Sequence, residues 1–189
     1  TRYTPCYTSY MIKPWKHIAR TELLSHPRIH IVEDTVELPN GQRTQYVREA
    51  PHTSCSVAII AINSQNEILV QREYRYPPDE IMYQLPGGGA GSEEDVIAAA
   101  NRELSEESGY TARDSRVLGA FYVNNRRSDR KQYVVLCRDL IEEKRPSDPE
   151  EFIESMWLPL PKLQQLITDG KITNMNMLAA LQLLQTQQG

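Results

Sequence analysis

The chain has 189 residues, of which 40% are hydrophobic and 24% charged, a balance typical of a folded globular domain. The net charge of −4 argues against a nucleic-acid or membrane surface, because phosphate backbones require a basic face. Three scattered cysteines, Cys6, Cys55 and Cys137, form neither a disulfide framework nor a zinc pattern. They favour a reducing compartment, so we expect a cytoplasmic protein without nucleic-acid or membrane partners.

Residues 1–50 differ in pattern from the rest and are expected to form an N-terminal arm and β-hairpin. Residues 1–27 mix aromatic and polar side chains without a clear period, so they are interpreted as an irregular arm. Apolar residues then recur up to Pro39-Asn40-Gly41, a typical hairpin turn, and residues 45–48 predict the returning strand. Residues 51–189 are expected to form the main domain.

The main domain alternates strand and helix patterns. A continuous apolar run predicts a buried strand at 54–62. A helix is predicted from a capping box, Ser92 and Asp95, to Gly109, which is a natural left-handed stop. Further strands are predicted at 68–76, 81–85, 116–123, 131–137 and 152–158, and amphipathic helices at 159–169 and 174–185. This order indicates an α+β fold with a mixed β-sheet between helices.

The first predicted helix carries an unusual charge pattern. Glu103, Glu106 and Glu107 lie on one face, where like charges three and four positions apart repel each other. Arg102 can neutralise only part of this charge. A hard divalent cation with oxygen ligands, Mg²⁺ or Mn²⁺, would neutralise the rest. The alternative is a solvated acidic helix face, which is what most charge runs are.

The spacing of the whole segment favours the metal site. Glycine, glutamate, arginine and apolar residues recur at the fixed positions of one motif, namely Gly88, Glu94, Arg102, Glu103, Leu104, Glu106, Glu107, Gly109 and Tyr110. This pattern resembles the Nudix box. All its polar positions are filled, and Tyr110 is a mild departure because an aliphatic residue is more common there.

The resemblance extends to one branch of the family. Residues 71–76 (Gln-Arg-Glu-Tyr-Arg-Tyr) and 84–88 (Gln-Leu-Pro-Gly-Gly) resemble the segment before the box in ADP-ribose pyrophosphatases. The resemblance implies a Nudix α/β/α sandwich with an N-terminal β-hairpin extension. It also implies hydrolysis of the pyrophosphate bond of ADP-ribose or a related nucleoside diphosphate sugar. Alternatives are another substrate, such as GDP-mannose or a nucleoside triphosphate, and a non-catalytic nucleotide-sugar sensor.

The resemblance also implies roles for individual residues. Glu103, Glu106 and Glu107 would bind the metal, together with a backbone carbonyl of Gly87 or Gly88. The remaining roles are a pyrophosphate contact from Arg75 or, less well matched, Arg72, a general base at Glu151 or Glu150, and adenine stacking on Tyr46. Homodimers are typical of this branch, so a homodimer is expected.

One connection departs from the branch. Relatives commonly have a proline there, whereas residues 122–130 contain neither proline nor glycine but include Arg126 and Arg127. If this loop faces the substrate, either arginine could hold the distal phosphate or the sugar. The alternative is a solvated hairpin tip in which Asn124 and Asn125 supply the turn.

Overall fold

The structure is a computed structural model that describes residues 12–50, 55–91, 93–146, 150 and 152–187. Nine strands and three helices are assigned in this part of the chain. The strands are β1 (Lys16–His26), β2 (Ile29–Glu37), β3 (Arg43–Glu49), β4 (Cys55–Ala61), β5 (Glu67–Arg75), β6 (Glu80–Gln84), β7 (Tyr110–Tyr122), β8 (Lys131–Glu142) and β9 (Ile153–Pro159). The helices are α1 (Val96–Ser108), α2 (Leu160–Thr168) and α3 (Met175–Thr186).

The chain divides into two compact units. The smaller unit contains the described residues up to position 50 together with 126–128, and the larger unit contains the remaining described residues. No helix in the described ranges is long and apolar enough to cross a membrane.

The smaller unit is a three-stranded antiparallel sheet in the order β1-β2-β3. The predicted hairpin is confirmed as β2 and β3. The prediction of an irregular arm was wrong for residues 16–26, which form β1, while residues 1–11 lie outside the described part. Nearly all side chains of β1 are exposed, so its sequence lacks an alternating apolar pattern, and pairing with β2 determines its conformation. Register shifts interrupt the β1–β2 pairing between His17 and Ala19 and between Glu22 and Leu24.

A buried carboxylate connects the three strands of this sheet. Asp34 on the central strand β2 is 5% exposed. Its two oxygens accept hydrogen bonds from Arg20 Nε on β1 at 2.6 Å and from Arg48 Nε on β3 at 2.8 Å. The guanidinium of Arg20, followed by that of Arg48, holds the pKa of the Asp34 carboxyl well below its usual range. One charged group therefore makes side-chain bonds to both neighbouring strands.

The larger unit contains two three-stranded sheets. In the order β4-β8-β7, β4 and β8 are parallel and β7 is antiparallel, so this sheet is mixed as predicted. The second sheet, β6-β5-β9, is antiparallel throughout. The predicted strands and helices of this unit are present with boundaries shifted by a few residues. The main shift is at the paired ends of β7 and β8, because β7 begins at Tyr110, directly after α1, and β8 continues to Glu142, which pairs with Tyr110.

Alternating side chains of the central strands supply two separate hydrophobic cores. Ile60 of β4 and Val134 of β8 pack with buried residues of α2 and α3. Ile59 of β4 and Val135 of β8 point to the other face and pack with the buried stripe of α1. Helices thus cover both faces of the β structure, which confirms the α/β/α sandwich.

The caps of α1 fix its ends. The side chain of Asp95 accepts hydrogen bonds from the backbone N–H groups of Ile97 and Ala98, so Asp95 is the N-cap residue. Ser92, the other half of the predicted capping box, lies outside the described residues. Gly109 has a φ of 77° and donates its N–H to Ser105 O, which confirms the predicted left-handed stop.

We expect Asp34→Asn to loosen the small sheet in a pH-dependent manner. Because the native pKa is depressed, the charged pairing contributes fully above the usual value of 3.8 and is lost as the pH falls toward the native pKa. The variant should therefore lose about 1–2 kcal/mol of local stability at neutral pH, and the difference from the native chain should shrink below about pH 4.

Amide hydrogen exchange of β2 measures this local stability. Glu33→Gln on the same strand removes a carboxylate that is not buried, so it serves as the matched control. A difference between Asp34→Asn and the native chain that stays constant from pH 7 to pH 3 would contradict the assignment.

Candidate active site

The glycine loop after β6 lies alongside β4 as if it were an additional strand. Val57 N donates to Gly88 O at 2.8 Å and Ile59 N donates to Pro86 O at 2.9 Å. Gly87 has a φ of 150°, and a Cβ atom added to it would lie 2.1 Å from the carbonyl oxygen of Val57. Only glycine allows the backbone to pass β4 at this distance.

Arg102 is the centre of the charge network on α1. Its Nε and Nη2 atoms donate to the two oxygens of Glu94 at 2.9 and 3.1 Å. Its Nη1 atom donates to both Glu103 Oε1 and Glu106 Oε2 at 2.9 Å, and its Nη2 atom also reaches Gly89 O at 2.9 Å. A single guanidinium therefore ties the glycine loop to the helix and to two of the predicted metal ligands.

These contacts shift ionisation toward the charged forms. The hydrogen bond from Arg102, followed by that from the backbone N–H of Gly91, holds the pKa of Glu94 below its usual value. The bond to Glu94 is also the main reason that the pKa of the Arg102 guanidinium is raised further. The Glu94–Arg102 pair thus stays ionised over the physiological range, consistent with a structural role for both residues.

Glu107 is held by different partners. Its Oε2 atom accepts hydrogen bonds from Gln71 Nε2 of β5 at 2.9 Å and from the backbone N–H of Gly87 at 3.1 Å. Gln71 is fully buried, and its Oε1 atom has no hydrogen-bond partner in the structure. Because the amide nitrogen must face the carboxylate, the orientation of the Gln71 amide is fixed by Glu107.

Gly88 makes room for Glu103. A Cβ atom added to Gly88 would lie 2.4 Å from Glu103 Oε1 and 2.7 Å from Glu103 Oε2, so the carboxylate occupies the space of the missing side chain. The two carbonyls proposed as further ligands differ, because Gly88 O already accepts the N–H of Val57. This contact favours the carbonyl of Gly87.

The donor set fits a hard divalent cation. Glu103, Glu106 and Glu107 lie within two turns of α1 beside the glycine loop and offer only oxygen atoms. Within the described ranges, no three acidic, histidine or cysteine side chains converge as a preformed cage. Mg²⁺ does not require one, since it usually binds one or two carboxylates and completes its shell with water and substrate phosphate.

The two arginines proposed for the pyrophosphate lie in different surroundings. Arg75 donates through Nε and Nη2 to Gln84 Oε1, and its Nη2 atom lies 2.9 Å from Glu73 Oε2. Arg75 and Gly87 line the same pocket. Arg72 instead pairs with Glu154 at 3.1 Å, and its guanidinium lies 5.7 Å from the Tyr83 ring centre. These positions favour Arg75 over Arg72 as a ligand of a group bound next to the glycine loop.

Tyr46, Arg126 and Arg127 form one cluster within the smaller unit. Tyr46 on β3 donates its hydroxyl to Arg126 O, and the guanidinium of Arg127 lies 5.7 Å from the centre of the Tyr46 ring. Arg127 Nη1 donates to Val47 O at 2.9 Å, and Arg127 O accepts the N–H of Glu49 at 2.7 Å. The segment is therefore bound to β3, an arrangement that neither of the two sequence-based interpretations includes.

The proposed general bases are less defined. Glu150 is exposed in a turn before β9, while Glu151 lies outside the described residues.

Sequence reasoning missed Gln71, Gln84 and Glu73 as members of the site. Only the branch motif that contains them drew attention to their segment, because their contacts join positions far apart in the chain.

An α/β/α sandwich with a glycine loop packed on a glutamate-rich helix is the architecture expected of the Nudix box. The NUDIX domain model matches residues 53–181, and the chain belongs to this family. The resemblance noted in the sequence is therefore confirmed.

Several relatives align over most of the chain. An ADP-ribose pyrophosphatase of Bacillus subtilis (strain 168) is 31% identical over 92% of this chain and 94% of its own length. A methanol dehydrogenase activator of Bacillus methanolicus is 30% identical over the same shares, and the ADP compounds hydrolase NudE of Escherichia coli (strain K12) is 29% identical over 87% and 88%. A crystal structure of an ADP compounds hydrolase superposes with a TM-score of 0.86 at 24% identity, covering 95% of this chain and 96% of that one, which shows the shared fold.

Substitutions at the two adjacent glycines should affect different properties, metal affinity at Gly88 and stability at Gly87. Gly88→Ala overlaps the carboxylate of Glu103 and no backbone atom within the closest contacts, so the midpoint of thermal unfolding should change little while Mn²⁺ affinity falls at least tenfold. Gly87 has a positive φ, and the Cβ atom of Gly87→Ala would overlap the backbone of Val57. This substitution should therefore lower the free energy of unfolding by about 3 kcal/mol or more, which lowers the midpoint of thermal unfolding by about 6 °C or more. Calorimetric Mn²⁺ titration and thermal unfolding measure the two effects. Unchanged Mn²⁺ affinity in Gly88→Ala would remove Glu103 from the ligand set.

Proposed function

We propose that this protein hydrolyses the pyrophosphate bond of ADP-ribose or a related nucleoside diphosphate sugar, giving a nucleoside monophosphate and a sugar phosphate. The observation that carries the proposal is the set of contacts that joins the glycine loop to Glu103 and Glu107 directly, and to Glu106 through Arg102. The similarity to an ADP-ribose pyrophosphatase over nearly the whole chain supports this choice of substrate class.

The three glutamates would hold Mg²⁺, with Mn²⁺ as a possible substitute and the carbonyl of Gly87 as a further ligand. Bound Mg²⁺ would neutralise phosphate charge and lower the pKa of a coordinated water. The chain's own contribution is to position these carboxylates. Gln71 and the N–H of Gly87 fix one oxygen of Glu107, and Arg102 fixes Glu103 and Glu106.

The remaining roles follow from charge and position. Arg75 would contact the pyrophosphate, because its guanidinium lies at the pocket that Gly87 also lines. Glu150 or Glu151, before β9, would accept a proton from the attacking water. Tyr46 remains the proposed adenine contact, while Arg126 and Arg127 are proposed to act mainly by holding Tyr46 in place.

A substrate screen with one matched pair of variants tests the proposal. Glu107→Gln should retain the fold but reduce kcat by orders of magnitude at saturating Mg²⁺, because a metal-binding oxygen becomes an amide. Glu93→Gln, on the exposed loop before α1, is the control and should behave like the native enzyme. The screen covers ADP-ribose, other nucleoside diphosphate sugars, GDP-mannose and nucleoside triphosphates.

Two results would contradict the proposal. If Glu107→Gln keeps near-native turnover, this carboxylate does not bind the catalytic metal. If the native protein binds nucleotide sugars with Mg²⁺ but releases no phosphate ester from any of them, it is the sensor considered as an alternative.

We also propose that the protein forms a homodimer through the smaller unit. It exposes large apolar side chains, including Trp15 just before β1 and Leu23 and Leu24 on β1, each about half accessible to solvent. The described residues of this unit form strands and no helix, so no helix among them covers these side chains. A second copy bound to this surface would remove them from water.

Leu24→Glu should therefore shift the assembly from dimer to monomer at micromolar concentration, since a charge would be buried in the interface. Its neighbour Ser25→Glu adds the same charge to an exposed polar position and should weaken the dimer less. Light scattering coupled to size-exclusion chromatography measures the masses. A monomeric mass for the active native chain would rule out the dimer.

A further inference from the structure

A small polar pocket is lined by Gly87, the residue whose N–H donates to Glu107. Its apolar lining residues include Ala58 of β4, Leu85 and Met177 of α3. Its volume is about 100 Å³, whereas one buried water needs about 10–15 Å³. The space therefore accommodates more than a single structural water.

Amide side chains form the polar part of its wall. Gln132 at the start of β8 is 8% exposed, and its side-chain amide makes no hydrogen bond to another residue in the described ranges. Asn176 in the first turn of α3 has a buried Oδ1 atom without a hydrogen-bond partner in the structure. Asn174 caps α3 by accepting the N–H of Met177, and it also lines the pocket.

The position of the Asn176 amide is costly without a hydrogen-bond partner. A buried polar group that lacks a hydrogen bond costs about 1–3 kcal/mol, and this cost applies to the Oδ1 atom of Asn176. Gln132 lies on the same face of β8 as Val134, which belongs to the core shared with α2 and α3. Two amides facing one pocket are thus better explained by a polar group bound there than by packing.

Two other lining residues, Gln84 and Arg75, are held by hydrogen bonds. Gln84 is 7% exposed, and its Oε1 atom accepts two hydrogen bonds from Arg75 while its amide nitrogen donates to Glu73. These bonds fix the Arg75 guanidinium at the edge of the pocket. The lining of the pocket therefore combines a fixed cation with amide donors and acceptors.

Gly87 connects this pocket to the candidate metal site. Its N–H donates to Glu107 Oε2 at 3.1 Å, and the same residue lines the pocket. A molecule that spans both would place its phosphate next to the carboxylates and its adjoining group among the amides. The same residue therefore contacts a proposed metal ligand and lines the pocket.

We propose that this pocket binds the sugar of the nucleoside diphosphate sugar, with Gln132 and Asn176 contacting its hydroxyl groups. A sugar suits the wall because each hydroxyl both donates and accepts, as an amide does. A nucleobase suits it less, because no aromatic side chain among the described residues lines the pocket for stacking. The inference rests on the proposed function and adds a subsite that determines specificity.

Binding of ribose 5-phosphate relative to methyl phosphate tests the subsite without requiring turnover. In the presence of Mg²⁺, the native chain should bind ribose 5-phosphate at least tenfold more tightly. Gln132→Leu and Asn176→Leu, which keep a similar volume but remove the amide, should each reduce this preference severalfold or more. Gln185→Leu, an exposed glutamine on the same helix α3 as Asn176, is the matched control and should retain it.

Hydrolysis gives an independent readout. Both amide variants should lower kcat/KM on ADP-ribose about tenfold but leave it unchanged on the methyl ester of ADP, which has the same pyrophosphate and no sugar. If Gln132→Leu does not fold, Asn176→Leu, which is only partly buried, decides the question.

The outcomes separate the two proposals. A native chain that hydrolyses ADP-ribose without any preference for ribose 5-phosphate, or variants that retain the preference, would overturn the sugar subsite while the proposed function stands. A preference that depends on both amides in a chain that hydrolyses nothing would support the subsite and contradict the proposed function.

Discussion

The arrangement of the candidate site depends on the contacts of Arg102. Without a cation on this face of α1, the carboxylates of Glu103 and Glu106 would repel each other, at a cost of a few tenths of a kcal/mol in an isolated helix. Arg102 neutralises part of this charge and at the same time binds Glu94 and the carbonyl of Gly89. The same side chain thus stabilises the helix and sets the position of the loop in front of it.

The glycine loop also connects α1 to the β structure through hydrogen bonds. Gly88 accepts a hydrogen bond from β4, and Gly87 donates one to Glu107, so the backbone of two residues links a strand to a helix on the adjoining layer. Gln71 adds a side-chain bond from β5 to the same glutamate oxygen. Loss of any of these contacts would displace a carboxylate, and an added Cβ atom would overlap Val57 at Gly87 and Glu103 at Gly88.

Much of the fold and of the candidate site could be predicted from local sequence patterns. The caps of α1, the glycines and the glutamates are encoded in one continuous segment, so their sequence spacing was sufficient to identify the family and the helix. The continuous apolar run of β4 was also readable, because this strand contributes side chains to a core on each face.

Long-range contacts were not predictable in the same way. Gln71 meets a partner 36 positions away, and Tyr46 meets one 80 positions away, so neither pairing leaves a local pattern. Strand β1 was missed because its stability comes from β2 rather than from its own mostly exposed side chains. The amides of Gln132 and Asn176 were missed for a related reason, since a glutamine in a strand or an asparagine in a helix gives no sign of facing a pocket.

The register shifts in β1 bear on how the protein avoids uncontrolled association. Among the described strands, β1 forms one edge of the small sheet, and an edge strand offers free backbone groups to any passing chain. Each register shift interrupts the regular spacing of those groups. An incoming strand would find only short stretches in register, so β1 is a poor template for fibre growth even though the sheet that contains it is rich in exposed apolar side chains.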